Sequence, residues 1–500
     1  MTTQEDFGSV FRADTLPTLK GSLLRTVAAR GFTGETSVSV AYVKRRNFLE
    51  IHQLPTFPVW TIVVQTTIIP AESWMPGKWI LEKKSMIQSV NACDVIVIGG
   101  GPSGSATATL LAQRGFSVTL YEREHFPRFH IGESLIPYCF PVIQRLGMLD
   151  KMKSSPFTKK YGVQFINEQG KLSEPFRFSQ YDPHERSQSW QVTRSDFDLM
   201  LLDNAREHGV VVHEGARVLD VLLDGERVGG VKVKLEGEQE KEVRSQVVVD
   251  ASGQSSIVMD RMDLREWDPV LKKAAIWTYW KGAKREPGID AGGTIVMQTQ
   301  EKKGWFWYIP LKDDVVSVGV VAGFDYLFKN RSTKDLETLY MEEVARCPGV
   351  QPRIADAVRE GDYKAQKEYS YKAKKAAGDG WVLVGDAFGF LDPLYSSGVM
   401  LALTSASMAS DSIADALDAN DPSESRLRSW EPEYVKAMDR MRNLVCAFYD
   451  GLNFGRLVRK YPDKKNLITD VLVGNLFSDE IDQLWPLIEE LRREDLAMAS

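Results

Sequence analysis

The stretch from Cys93 to Glu122, CDVIVIGGGPSGSATATLLAQRGFSVTLYE, constrains the fold more than any other part of the chain. Val95–Ile98 is a continuous apolar run of strand length. Gly99, Gly101 and Gly104 follow as G-x-G-x-x-G. A helix-length segment comes next, with Ala106, Leu110 and Leu111 on its inner face, and Gly115 ends it. Val118–Tyr121 reads as a second strand, closed by Glu122. Gly99 permits a tight turn, Gly101 lets the backbone approach a pyrophosphate, and Gly104 allows close helix–strand packing. The helix N-terminus then presents unpaired N–H groups and a positive dipole end to phosphates. Glu122 stands where an acid bonds ribose hydroxyls. The stretch predicts an α/β protein with a Rossmann-like dinucleotide-binding unit.

Composition removes several alternatives. The net charge of −6 lacks the basic excess that non-specific nucleic-acid binding requires, so no nucleic-acid partner is expected. Cys93, Cys139, Cys347 and Cys446 are scattered with no C-x-x-C pair. Neither a disulfide framework nor a zinc site is expected, and reduced thiols fit a cytoplasmic location. The histidines show no i, i+4 pair, so no metal is expected; His125 and His130 share one loop and read as structural or solvent-facing.

Downstream of the first unit, Arg123–Pro137 is a loop at the strand ends, where open α/β sheets bind ligands. Arg123 and Glu133 are candidates for contact with a dinucleotide, or plain caps and solvated charges. Val142–Lys153 reads as a helix. Pro156–Phe165, PFTKKYGVQF, sets two lysines ahead of a short apolar segment. Ser189–Arg194 and Ser195–His208 predict a strand, a serine N-cap and an amphipathic helix, with Arg194 facing the crevice or a surface ion pair. Strands at 210–212, 216–222, 228–235 and 243–250 follow. The last ends in Asp250-Ala251-Ser252-Gly253, a second strand-end turn.

Four strand-like runs between Ala274 and Gly323 predict a separate, inserted sheet. Within GWFWYIP, Trp305 and Trp307 point to one face, as an aromatic wall or as core. Ser332–Arg346 reads as a helix. Trp381–Asp386, WVLVGD, is a buried strand ending in Gly385-Asp386, where Asp386 bonds cofactor hydroxyls or caps a helix. FGFLDPLYSSGVML then opens a helix running to about Leu417. Ser396, Ser397, Gly398 and Val399 lie at its start, and their unpaired N–H groups suit an anion or a cofactor carbonyl. No second G-x-G-x-x-G occurs, so electrons come from elsewhere. Pro422–Ser500 reads as helical.

Four pieces stand in one order: the glycine turn with Glu122, Asp250-Ala251-Ser252-Gly253, GWFWYIP, and Gly385-Asp386. The first, second and last resemble the FAD-binding signature shared by aromatic hydroxylases and isoprenoid reductases. GWFWYIP is similar to the W-x-W-x-I-P motif of flavin-dependent halogenases. Phe390-x-x-Pro393-x-x-Ser396-x-Gly398 resembles the pattern beside that family's halide site. FTKKYG matches the setting of its catalytic lysine, with Lys160 as the match and Lys159 as its neighbour.

The resemblance covers roughly residues 90 to 420, judged by motif order. It implies a hydroxylase/halogenase-type FAD-binding domain from 89–158, 187–260 and 373–420, a strand-rich substrate domain from 159–186 and 261–372, and a helical region at 421–500. It implies a separate NAD(P)H flavin reductase that delivers FADH2, and O2 that forms a flavin hydroperoxide. Chloride or bromide is held by the N–H groups of Ser397 and Gly398 and oxidised. Lys160, with Ser396 nearby, carries the hypohalous acid to the substrate. Trp305 and Trp307 keep that substrate off the flavin. Gly99, Gly101, Gly104, Glu122, Arg123, Glu133, Arg194, Gly385, Asp386 and Val399 form the cofactor site. Members acting on free tryptophan carry a glutamate just before the serine of the pattern; here that position is Tyr395. The departure favours an already activated phenol, pyrrole or acyl carbon, free or carrier-tethered. Alternative readings are a flavin aromatic monooxygenase, an isoprenoid reductase, and a flavin-binding protein without turnover.

Residues 1–88 read as an N-terminal extension, disordered or ahead of the functional start. Met1–Ser85 is basic where the remainder is acidic and sustains no helical or alternating pattern. Val59–Pro70 is apolar but too short to span a bilayer and too deep for a signal peptide, so no integral membrane segment is expected. Met86 opens MIQSVNACDVIVIGGG. N-terminal sequencing of the native protein is expected to read from Met86; a mature chain starting at Met1 with an ordered extension contradicts this.

Overall fold

The computed structural model describes residues 25–30, 37–45, 48–51 and 92–499, apart from 181, 330 and 453. The chain divides into two units, Met1–Glu82 and Lys83–Ser500. In the first, Arg25–Arg30, Ser37–Arg45 and Phe48–Ile51 pair into a three-stranded antiparallel sheet. Strands thus occupy part of the stretch in which the sequence shows no sustained pattern. Val59–Pro70 and Met86 lie outside the described residues.

The second unit is built on two large sheets. Its first strand, β1 (Ala92–Ile98), leads through the glycine turn into α1 (Pro102–Gln113) and then β2 (Val118–Tyr121). Next come β3 (Thr158–Lys160), β4 (Gly162–Ile166), β5 (Phe176–Arg177), β6 (Ser189–Gln191) and α2 (Arg194–Glu207). The chain continues with β7 (Val211–His213), β8 (Ala216–Asp224), β9 (Arg227–Leu235) and β10 (Glu240–Asp250). After these stand β11 (Arg265–Lys281), β12 (Thr294–Gln298), β13 (Gly304–Pro310), β14 (Val315–Gly323) and β15 (Val358–Ala373). Three short strands, β16 (Ala377–Gly378), β17 (Trp381–Leu383) and β18 (Gly389–Phe390), precede α3 (Gly398–Asp418) and α4 (Glu431–Tyr449). The chain ends in α5 (Phe454–Lys460), α6 (Lys465–Val473) and α7 (Leu484–Ala499).

The first sheet runs β7-β2-β1-β10-β9-β8, with β17 on β10 and β16 on β17. Its β7, β2, β1, β10 and β17 pair in parallel. Val95, Ile96, Val97, Val247, Val248 and Val249 are fully buried, as central parallel strands covered on both faces require. The second sheet runs β18-β15-β11-β14-β13-β12-β4-β5, antiparallel except at β12–β4. Its two faces feed two cores: Phe306 and Tyr308 point into one cluster, Trp305 and Trp307 into the other. A separate pair, β3–β6, sets Lys160 opposite Ser189.

Two local expectations need correction. Val142–Lys153 is not one helix: Phe140–Arg145 and Leu149–Ser154 are separate, and Gly147, at φ 73°, breaks them by adopting the left-handed region. Ser195 is not the N-cap of α2; Thr193 holds that place, and Arg194 and Ser195 are already helical.

Gly104 carries the closest packing of the β1–turn–α1 segment. A Cβ there would fall 1.9 Å from the Gly99 carbonyl oxygen, which is backbone and cannot yield. Gly104→Ala is therefore expected to lever α1 off β1 and cost about 3 kcal/mol or more, read as a lower Tm together with loss of bound FAD.

Candidate active site

A cavity of about 780 Å³ opens beyond the carboxyl ends of β1, β2 and β10. Gly99, Gly101, Glu122 and Arg123 line one end, and Trp305, Trp307, Ser396, Gly398 and Val399 the other. Its volume falls in the range of small-molecule and cofactor sites.

The first end is built by the glycine turn. The Glu122 carboxylate is fixed by backbone: Oε2 accepts from the Gly100 N–H at 2.7 Å and Oε1 from the Glu124 N–H at 2.8 Å. No side chain caps α1 and its first turn holds no acid, so its N–H groups stay available to an anion. Arg123 reaches the turn after β10, donating to Ser255 Oγ at 3.1 Å. The donor set fits FAD: a helix N-terminus for phosphate, Glu122 for ribose hydroxyls, and a long cavity for the ring system.

Arg194 and Glu133 also line the cavity. Arg194 is 6% exposed and committed to Asp198, at 2.8 and 2.9 Å, and to the Ile131 carbonyl. It pins the loop over the crevice. Glu133 Oε1 accepts from the Tyr279 hydroxyl at 2.7 Å, while Oε2 is buried and unpartnered. Burial pushes the Glu133 carboxyl up to about 7 and that of Asp386 up to about 6, the latter held back by the Arg194 charge. Both acids line the cavity, and the upward shift lessens their repulsion of an anionic ligand. The Gly385-Asp386 turn is fixed from α3, where Ser405 Oγ accepts from the Gly385 N–H at 2.9 Å.

At the second end the chain leaves Pro393–Tyr395, passes Ser396 at φ 58°, and enters α3 at Gly398. No side chain caps α3 and no acid lies in its first turn, which leaves a site suited to a small anion. Ser396, Gly398 and Val399 line the cavity; Ser397, expected beside them, is 1% exposed and does not. Trp305 and Trp307 form a wall with ring centroids 6.4 Å apart. Gly319 makes room for it: a Cβ there would fall 2.2 Å from Trp307 Cζ2. The Trp307 indole donates to Ser317 Oγ at 3.1 Å.

Lys160 is 2% exposed and stands behind the cavity rather than on its surface. Its Nζ donates to Ser134 Oγ at 2.8 Å and to the Leu135 carbonyl at 3.0 Å. Ser134 lies 3.0 Å from Thr294 Oγ1, which accepts from Gln191 Nε2 at 2.9 Å. Ser134 and Thr294 line the cavity, so a chain of hydroxyls connects it to the amine. Sequence reasoning missed Ser134, Gln191 and Thr294. None carries a local motif, although Ser134 directly follows Glu133. Desolvation lowers the Lys160 amine to about 7, so the free amine is available at neutral pH.

A family model described as tryptophan halogenase matches residues 94–184 and 177–453. The chain is 36% identical over 332 residues to the 1H-pyrrole-2-carbonyl-(peptidyl-carrier protein) brominase of Pseudoalteromonas luteoviolacea, covering 66% of this chain and 79% of the relative. It is 33% identical over 411 residues to the corresponding chlorinase of Pseudomonas fluorescens, covering 77% and 90%. The structure of the flavin-dependent brominase Bmp2 superposes with a TM-score of 0.71 at 30% identity, over 82% of this chain and 99% of that one. The myxobacterial chondrochloren halogenase CndH gives 0.67 at 34%, over 73% and 84%. Among the described residues no helix is long and apolar enough to cross a membrane.

Lysine is charged below its pKa, so a reaction that uses the free Lys160 amine rises with pH through about 7 and then levels. The lowered value also penalises folding: relative to an ordinary lysine at 10.5, the penalty grows as pH falls toward about 7 and is constant below. Lys160→Met is therefore expected to raise Tm more at pH 6 than at pH 9, measured by calorimetry at both. With the family model matching from residue 94 to 453 and relatives 33% and 36% identical over most of their length, the chain belongs to the tryptophan halogenase family and is a flavin-dependent halogenase that uses FADH2, O2 and halide.

Proposed function

We propose that this halogenase acts on an electron-rich phenol or pyrrole, or on an activated acyl carbon, offered free or on a carrier protein. The observation that supports this class is Tyr395. It occupies the position before Ser396, its hydroxyl is buried without a partner, and its ring meets Phe448 and Phe454 edge-on at 6.5 and 6.2 Å. An unactivated indole carbon benefits from a carboxylate that removes the ring proton, and Tyr395, with its hydroxyl pushed well above 10 by burial, supplies no anion. Phenols and pyrroles need less help. Both carrier-protein relatives act on a pyrrole-2-carbonyl group, which makes the carrier-bound pyrrolyl thioester the first substrate to offer.

Bound FADH2 supplies the electrons that activate O2 for halide oxidation. The chain's own residues then orient and contain. The first turn of α3 at Gly398 and Val399 holds chloride or bromide. Trp305 and Trp307 bar organic substrate from the cofactor end. Ser134 and Thr294 lead to Lys160, whose free amine hydrogen-bonds hypohalous acid or forms a haloamine and holds the halogen against the substrate. A separate NAD(P)H flavin reductase regenerates the reduced cofactor.

The test supplies FAD, a flavin reductase, NADH and either halide, with a panel of pyrrole-2-carbonyl carrier protein, free phenols and free tryptophan. Halogenation of the pyrrolyl thioester or a phenol, with tryptophan untouched, is the expected result. Turnover of tryptophan in preference to both contradicts it.

A further inference from the structure

The Trp305 indole is held from outside the motif that contains it. Its Nε1–H donates to the Tyr449 hydroxyl at 2.9 Å, and that hydroxyl donates to Asp392 Oδ2 at 2.9 Å. The direction of the relay is fixed: an indole nitrogen only donates, so the Tyr449 oxygen accepts and its one proton goes to the acid. Asp392 is fully buried and its other oxygen accepts from the Leu394 N–H at 3.1 Å, starting the turn that runs through Pro393–Tyr395 into Ser396 and α3. Its own N–H donates to Ser370 Oγ of β15 at 3.0 Å. The Tyr449 ring is steadied from the neighbouring strand β11 by Lys273 Nζ, 3.6 Å from its centroid. One hydroxyl at the end of α4 therefore ties the tryptophan strand β13 to the loop that forms the anion site.

We propose that Tyr449 is a positioning residue for halogenation: its hydroxyl sets the orientation of Trp305 and links that ring to the Asp392 turn, so that the wall and the halide site keep a fixed relation. The inference rests on the reading of the Gly398 loop as the halide site. Occupation of the loop by halide then reaches the Trp305 indole through Asp392 and Tyr449.

Tyr449→Phe keeps the ring, its contact with Lys273 and its packing on Phe448, and removes only the hydroxyl. The apo protein is labelled with 5-fluorotryptophan, and the Trp305 resonance is assigned from its absence in Trp305→Phe. In Tyr449→Phe that resonance is expected to move more than any other tryptophan signal. Bromide titrated into the unsubstituted apo protein is expected to shift it too, and the shift is expected to vanish in the variant. In the FAD-loaded enzyme the variant is expected to raise the KM for halide by roughly three- to tenfold, a part of what the two hydrogen bonds of the Tyr449 hydroxyl contribute, with kcat changed less. Asp392→Asn leaves one carboxamide oxygen for two donors, the Tyr449 hydroxyl and the Leu394 N–H, and is expected to move the Trp305 resonance as well. An unmoved Trp305 resonance in Tyr449→Phe, or a halide KM equal to that of the unsubstituted enzyme, overturns the proposal. If the resonance moves with Tyr449→Phe while bromide shifts no tryptophan signal and the unsubstituted enzyme halogenates nothing in either halide, the halide reading of the loop is at fault and the positioning of Trp305 stands.

Discussion

The site depends on one run of backbone pairing. Residues 133–135 hydrogen-bond to the β6 segment, from the Leu135 N–H to the Trp190 carbonyl at 3.0 Å and from the Val192 N–H to the Glu133 carbonyl at 2.7 Å. The other edge of β6 pairs with β3, which carries Lys160. Side chains alternate along an extended segment. Glu133 therefore turns to Tyr279 and the cavity, and Ser134 turns to Lys160 and Thr294. A shift of one residue would exchange these directions and leave the amine without its partner. The lysine's link to the cavity through Ser134 is in this sense a property of backbone register.

Burial supplies the chemistry that charge alone would not. Lys160, Glu133, Asp386 and Asp392 are all shifted toward their neutral forms, and desolvation is the leading cause in each. At Glu133 and Asp386, which line the cavity, this softens the negative charge that an anionic cofactor or a halide meets. Attraction comes from the Arg123 and Arg128 side chains, which line the same cavity, and from two uncapped helix starts, α1 and α3, whose N–H groups are oriented in advance.

The parts of this arrangement written in local sequence were legible. Strand, glycine turn, helix and acid occur within one stretch because each needs a specific residue type at fixed spacing, and they fold as expected. Trp305 and Trp307 alternate onto one face of β13, as GWFWYIP requires. What escaped depends on distant partners. Ser134 bonds Lys160 across 26 positions, and Tyr449 bonds Trp305 across 144. Neither residue has a neighbourhood that marks it. Arg194 reads from sequence as facing the crevice or in an ion pair; it lines the cavity and also pairs with Asp198, one turn along α2, a partner that local pattern does not single out. Gly147 divided an apolar run of helical pattern because its backbone, not its side chain, decides the local path.

Lys160 is proposed to carry oxidised halogen between cavity and substrate, and the direct measurement is where the halogen goes without it. Lys160→Ala, loaded with FAD and supplied with a flavin reductase, NADH and bromide, is compared with the unsubstituted enzyme. The carrier-bound pyrrole or a reactive phenol serves as substrate, and a soluble scavenger traps escaped oxidant. The account predicts that oxidation of reduced FAD continues, substrate halogenation is lost and the scavenger is brominated. Undiminished halogenation of the substrate by Lys160→Ala, with the same regiochemistry, would contradict it.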